Sequence, residues 1–394
     1  MVVDGWLDRL AARRPHVLLA ITPGATAARL ATEDALVDVG AVVTASPADA
    51  DVLVVVGYPG EEMADAIGDV WRQLPGPRVR TQVVDPAAAG AAIRAAVAGL
   101  SGGGQRAEAL RRHDEWRTGA DHRNDGDPDE SPGHRGHAEH GGHGESMPMP
   151  GGLMMAERAD DRDGLKLDVL EVTLGPVLAD WPAGLVVTAA VQGDVVRKVD
   201  ARVVGAESTA VPSFWDGADG RRRAAAHLDS LARLLAVVGW PAMAQRVRVV
   251  RDAALGAGPV SDVRSRLAVV DRRLRRSRTL RWATDGLGVL TPQMARRLDV
   301  TGPAARAADD GGDVTARWRC WLTDADAVLA GRDPGPAVGP RGRGRGDRTA
   351  SAALLDAACR LMVGLDLAAA RIVLASFDPD PDEIAVAVPR RVED

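Results

Sequence analysis

The chain has 394 residues, 46% of them apolar, enough for two domains that each bury a core, which excludes a small stapled module or a chain disordered throughout. Two cysteines, Cys320 and Cys359, exclude a disulfide framework and a cluster that needs about four thiolates. A net charge of −6, from 49 basic and 55 acidic residues with the excess spread along the chain, predicts that nothing here draws DNA or an anionic membrane, so nucleic acid is not an expected partner.

HVLLAI reads as a buried strand, TAARLATEDALVDVG as a helix ended by Gly40, and AVVTA as a second strand. DVLVVVG is a continuous apolar run of the kind found in parallel strands covered on both faces. EEMADAIGDVWRQL then sets Met63, Ile67, Val70, Trp71 and Leu74 on one helical face. VRTQVVD and the alanine-rich stretch from Ala87 to Leu100 add a strand and a helix. This alternation predicts a doubly wound α/β domain over residues 1–100, with its ligand edge at the carboxyl ends of the strands.

From 101 to 152 aliphatic residues nearly vanish in favour of Gly, Asp, Arg, Glu and His, which predicts a disordered, His-rich linker. Residues 153–378 read as an α+β domain. LDVLEVTLG, GLVVTAAVQGDVV and KVDARVVG form its antiparallel β meander, and AAAHLDSLARLLAVVG, AMAQRVRVVRDAALGA and SDVRSRLAVVDRRLRR begin a helical bundle whose last long helix lies around Leu354 to Leu367. Residues 379–394 read as a disordered tail. The chain starts without a basic stretch followed by an apolar run, and no apolar segment approaches the roughly 20 residues of a membrane span. A cytoplasmic chain with no span of its own is therefore expected.

Six of the eight histidines fall in the linker, and His134, His137, His140 and His143 recur at a uniform spacing of three, with Met147 and Met149 just after them. A glycine-containing strand can wrap several imidazoles around one Ni²⁺ or Zn²⁺ ion, which makes these four the candidate metal ligands. Drift of a disordered linker towards His, Gly and Asp explains the same residues without a metal. In VVVGYPGEEM, Gly57, Gly60 and the following helix start offer a place for an anion, but neither GxxxxGK[ST] nor GxGxxG is present, and a plain strand-to-helix turn accounts for it. His16 precedes a buried strand, His227 sits on a helix, Cys320 and Cys359 lie in apolar helical contexts typical of inert thiols, and Asp161 and Asp163 lie in a turn. None of these assembles a catalytic set. The basic residues are almost all arginine, Lys166 and Lys198 being the only lysines, as a GC-rich coding bias produces. The run from Arg272 to Arg278 accordingly reads as a solvated helix face.

Ser46-Pro47, the apolar strand from Asp51 to Gly57, Met63, and Leu74-Pro75-Gly76-Pro77 follow one another as in the small, cluster-bearing subunit of respiratory complex I and of membrane-bound nickel–iron hydrogenases, which this part of the chain resembles. The second half resembles the quinone-site subunit of complex I, a relative of the hydrogenase large subunit. That resemblance rests on Gly175-Pro176, Gly184, the Gly193-Asp194 turn, Gly286-x-Gly288-Val289-Leu290 and Val300-Thr301-Gly302-Pro303. It implies a fusion of two subunits that meet across a broad apolar interface, where such families hold their reactive centres. The residues depart from both patterns: Ile21 to Thr26 and Val79 to Gly90 hold no cysteine, Val177 to Ala183 no histidine, and the only tyrosine, Tyr58, lies in the first domain.

The expected protein is thus an accessory pseudoenzyme of an NADH-quinone-oxidoreductase-like or hydrogenase-like respiratory assembly, with membrane subunits as partners at the inner face of the plasma membrane. No iron–sulfur or flavin cofactor is expected, and both domains should dock, apolar packing filling the places of the lost ligands. The alternative is a soluble Ni- or Zn-binding or maturation protein acting through the linker. Protons compete for imidazoles whose ordinary pKa is about 6.5, so Ni²⁺ or Zn²⁺ uptake should fade below about pH 6. Titration calorimetry on the variant with His134, His137, His140 and His143 replaced by alanine should show that uptake lost; equal uptake would place the metal elsewhere.

Overall fold

The computed structural model describes residues 14–101, 111, 157–160, 166–205, 213–216, 219–332, 340–346 and 348–384. The first domain runs β1 (His16–Ile21), α1 (Thr26–Asp38), β2 (Val42–Val43), β3 (Val52–Val56), α2 (Glu61–Gln73), β4 (Val79–Val83) and α3 (Ala89–Leu100). Its strands are parallel and ordered β2-β1-β3-β4. β3 reads as an unbroken apolar run because both its faces are covered. Val52, Val54 and Val56 pack with Ala28, Leu36, Ile93 and Ala96 of α1 and α3. Leu53 and Val55 pack with Leu18, Met63, Ile67 and Leu74 on the other side. β2 is shorter than AVVTA suggested: it pairs only with His16 and Val17 at the sheet edge, and Val43 is exposed.

The second domain opens with an antiparallel meander of β5 (Glu157–Asp160), β6 (Lys166–Leu174), β7 (Leu185–Gln192) and β8 (Val195–Val203), in that order across the sheet. β5 carries no strand signal in its Glu-Arg-Ala-Asp composition and exists through its pairing with β6. The helices are α4 (Gly220–Val237), α5 (Pro241–Leu255), α6 (Val260–Arg276), α7 (Arg278–Thr284), α8 (Pro292–Arg297), α9 (Gly302–Asp309), α10 (Val314–Leu329), α11 (Ala350–Met362), α12 (Leu367–Phe377) and α13 (Pro381–Ile384). α4 is the axis of the bundle. Every residue from Ala224 to Ala232 is buried, and the small side chains of Ala224, Ala225 and Ala226 let α5, α10 and α12 approach closely around Leu228, Leu231, Trp318 and Phe377.

Towards the C-terminus the structure differs from the sequence expectation at two places. The last long helix is two helices, broken where Gly364 takes a φ of +89° and Asp366 caps α12 by accepting a hydrogen bond from the Ala369 N–H. The tail expected from 379 is structured as far as Ile384, with Asp380 and Asp382 buried by hydrogen bonds described below. The linker from 102 to 156, apart from residue 111, and residues 385–394 lie outside the described residues.

The two domains dock. Val186 of β7 and Val204 complete the apolar cluster under α2, and Arg202 of β8 pairs with Glu62 of α2. A Cβ on Gly184 would meet the Pro23 ring at 2.8 Å, so the second domain's turn lies against the loop after β1. Gly57, at the end of β3, has a φ of +92°, and a Cβ there would stand 2.1 Å from Thr22 Oγ1 and 2.7 Å from Ala25 Cβ. The loops after β1 and β3 therefore interlock at the topological switch point. Gly57→Ala should destabilise the protein by about 2–3 kcal/mol, since backbone strain and overlap coincide. The comparison is Gly40→Ala, at a φ of +68° with open space around it, where only the strain of about 1 kcal/mol applies. Urea midpoints that fall equally in the two variants would contradict this packing.

Candidate functional site

Where the two domains meet, α1 of the first faces α4 and α5 of the second across buried charge. Asp229 of α4 is the hub. Its Oδ1 accepts a hydrogen bond from Arg251 Nη1 at 2.7 Å, and its Oδ2 accepts one from Arg29 Nη2 of α1 at 2.8 Å and another from Arg233 at 3.2 Å. Glu33, one turn beyond Arg29, accepts from Arg29 at 2.7 Å and pairs with Arg251 at 2.7 Å. Burial alone would raise the carboxyl pKa of Asp229. The guanidinium groups of Arg29, Arg251 and Arg233 outweigh it and hold Asp229 far below the ordinary carboxylate range. Glu33 is affected likewise: burial opposes, Arg29 and Arg251 prevail, and its pKa falls to about 2.

A second knot joins this one through Arg233. Asp378, directly after α12 in a left-handed conformation with φ of +43°, pairs with Arg233 and accepts from Ser230 Oγ and Arg341 Nη2, each at 2.6 Å. Arg341 also donates to the Asp378 carbonyl at 3.0 Å. The chain then turns through Pro379 to Asp382. Asp380 accepts from Ser213 Oγ at 2.6 Å, and Asp382 accepts from the backbone N–H of Gly24 at 2.6 Å. Burial and the neighbouring Asp380 push the Asp382 pKa up to about 6. The C-terminal segment thus reaches the loop after β1 and fastens it.

Beside these ion pairs lies a cleft of about 180 Å³. Leu19, Ile21 and Val37 of the first domain and Leu178, Trp181 and Trp215 of the second form its apolar walls. Arg248, paired with Asp180 at 2.5 Å, borders it. The cleft's lining is part apolar and part charged, and the guanidinium groups and carboxylates in it pair with one another. His227 is not part of it. That imidazole is buried and held neutral, its pKa lowered to about 3 by burial and by the charges of Arg341, Arg306 and Arg223. Cys320 on α10 and Cys359 on α11 are free thiols whose pKa burial raises to about 11 and about 12, which leaves them poor nucleophiles.

The turn of Gly57 and Gly60 is a plain one. Thr22 and Ala25 fill the space beside Gly57, and Glu61 and Glu62 occupy the first turn of α2, where an anion would have to sit. His134, His137, His140 and His143 lie outside the described residues, and among the described residues no three His, Cys, Asp or Glu side chains form a metal-binding group. Apolar packing between the domains is found on the α2 side, at Val186 and Val204, and on the α1 side at Leu30, which packs against the second domain's core. On the α1 side the interface also carries buried ion pairs, and the residues responsible were missed. Arg29 and Glu33, like Asp229 and Arg233, are spaced by four as solvated helix pairs often are. The available signal was that Arg29 lies between Ala28 and Leu30, and that Leu228, Leu231, Ala232 and Leu234 accompany Asp229 and Arg233.

No family model matches the chain, and no curated protein matches it in sequence. Among solved structures, it is similar to a chain in the structure of the membrane-bound sulfane sulfur reductase, an archaeal respiratory membrane complex, at 16% identity, over 55% of this chain and 98% of that one, with a TM-score of 0.41.

Removing one member of a buried ion pair strands its partner, which costs about 3–5 kcal/mol. Asp229→Asn should therefore lower stability by that much, while Arg360→Ala, which removes an exposed pair with Asp356, should cost less than about 1 kcal/mol. The folded carboxyls titrate below the unfolded ones, so their contribution is complete above about pH 4 and fades as pH falls towards 2. Urea denaturation at several pH values should show the gap between the wild type and Asp229→Asn closing over that window. A gap independent of pH, or no larger than that of Arg360→Ala, would contradict the hub.

Proposed function

We propose that this chain is an accessory component of a complex-I-like or hydrogenase-like membrane assembly, structural rather than electron-carrying. The supporting observation is the ionic interface itself. Where the resembled families hold reactive centres between two subunits, this chain joins the corresponding domains covalently and spans them with Asp229, Arg29, Glu33 and Arg251. The two thiols stand on separate helices of one domain, α10 and α11, and cannot supply the roughly four ligands of a cluster. The glycines that carry the resemblance to the quinone-site subunit, Gly175, Gly184, Gly193, Gly286, Gly288 and Gly302, all take positive φ.

A body fixed in this way presents a rigid face to membrane subunits. It transmits no electrons of its own. Purification in mild detergent from the native membrane should yield the chain together with membrane subunits. Anaerobically purified protein should be colourless, without iron or acid-labile sulfide. Stoichiometric iron and sulfide would overturn the non-electron-carrying role, and recovery of the chain alone from intact membranes would overturn the partner assignment.

A further inference from the structure

The overall charge of −6 conceals one local surface of opposite sign. Helix α6 buries Val263, Leu267, Val270 and Leu274. On its other side Val269, Arg272, Arg273 and Arg276 recur at i, i+3, i+4 and i+7 and are all exposed. Ser277 breaks the helix with an extended backbone and caps α7 by accepting from the Leu280 N–H. In α7, Arg278 and Trp282 are four apart and share a face. Trp282 is 86% exposed, more than any other exposed large apolar side chain among the described residues.

The arginines here are free to act outward. Arg272, Arg273, Arg276 and Arg278 are exposed and form no ion pair among the described residues. The nearest acids in sequence are engaged: Asp271 pairs with Arg275 at 2.6 Å, and Asp285 accepts from Thr315 Oγ1 at 2.7 Å. A coding bias towards arginine explains why these residues are not lysine. It does not explain an exposed tryptophan among them.

We infer that the α6–α7 corner is a docking surface for an anionic phospholipid bilayer. Tryptophan is favoured at the headgroup level, where its ring meets acyl chains and its N–H meets water. Each arginine beside it gains from the negative surface potential of such a leaflet. Single-stranded nucleic acid fits less well, because stacking successive bases needs several aromatic platforms and this corner offers one. An acidic protein fits less well because Trp282 is the only exposed large apolar side chain among the described residues of α7, whereas a binding hot spot sits within a packed apolar patch. The inference does not rest on the accessory-subunit reading, since it concerns lipid alone.

The test is co-sedimentation of the full chain with protein-free vesicles. At low salt the protein should bind phosphatidylcholine vesicles containing phosphatidylglycerol and ignore pure phosphatidylcholine. Binding should vanish at 1 M salt, where the screening length shrinks to about 3 Å. Each of Arg272→Glu, Arg273→Glu, Arg276→Glu and Arg278→Glu should weaken it at least about fivefold, and Trp282→Ala about tenfold. All five positions face solvent, so thermal midpoints should stay at the wild-type value and separate lost binding from lost folding. The inference is overturned if anionic vesicles are not bound, if neutral vesicles bind equally, or if the variants bind as the wild type does. It is also overturned if only native membranes bind and protease treatment of them abolishes it, which would assign the corner to an acidic protein.

Discussion

Asp229 constrains everything around it, because a carboxylate buried to 3% exposure is tolerable only while cations surround it. Two of its partners, Arg233 and Arg251, come from its own domain and one, Arg29, from the other. Folding of the second domain alone would leave Asp229 with its own arginines and leave Arg251 without Glu33. Docking therefore completes a charge set that neither domain completes by itself. Such a network adds little net stability compared with apolar residues of the same shape, but it penalises every misaligned arrangement. It sets the angle at which the two domains meet, and the apolar contacts of Val186 and Val204 under α2 supply the attraction.

The same constraint explains why the chain stays ordered past Phe377. Asp378 balances Arg233 and Arg341, and Asp382 takes the Gly24 N–H at the end of β1. Without this segment Arg341 would lose the carboxylate to which it donates, Asp378. Its position at the carboxyl edge of the sheet follows from the strand order: β1 sends the chain one way to β2, then back across to β3, and the opening between those routes is where open α/β sheets receive something from outside. In this protein the occupants are its own C-terminal residues and the turn at Gly184.

The elements were legible wherever periodicity and burial coincide. β3 and α2 follow from DVLVVVG and from Met63, Ile67 and Leu74, since covered parallel strands and amphipathic helices leave different periods. β7 and β8 were legible through the Gly193-Asp194 turn. β5 was not, because an edge strand of Glu, Arg, Ala and Asp carries no apolar pattern, and the break at Gly364 was hidden by apolar residues on both sides of it. The site was the least legible part. Arginine carries little information in a chain that uses it for nearly every cation, so Arg29 and Arg251 look in sequence like Arg360, whose side chain is 60% exposed. The structure separates them by burial, which depends on contacts between residues 200 or more positions apart, as for Arg29 and Asp229.

Charge in this molecule therefore has two distinct uses. At the domain interface each guanidinium meets a carboxylate, and the low-dielectric surroundings make that pairing strong and inflexible. At the α6–α7 corner guanidinium groups stand in water, where screening weakens any single contact and only a partner with many negative charges can hold them together. The first use fixes shape and the second leaves an orientation to be chosen. Because the interface makes the two domains one body, whatever holds the corner also fixes where the cleft and the α/β domain point. A docking surface on a freely swinging domain would position only itself. Rigidity at Asp229 is thus what allows a contact at Trp282 to orient the whole molecule.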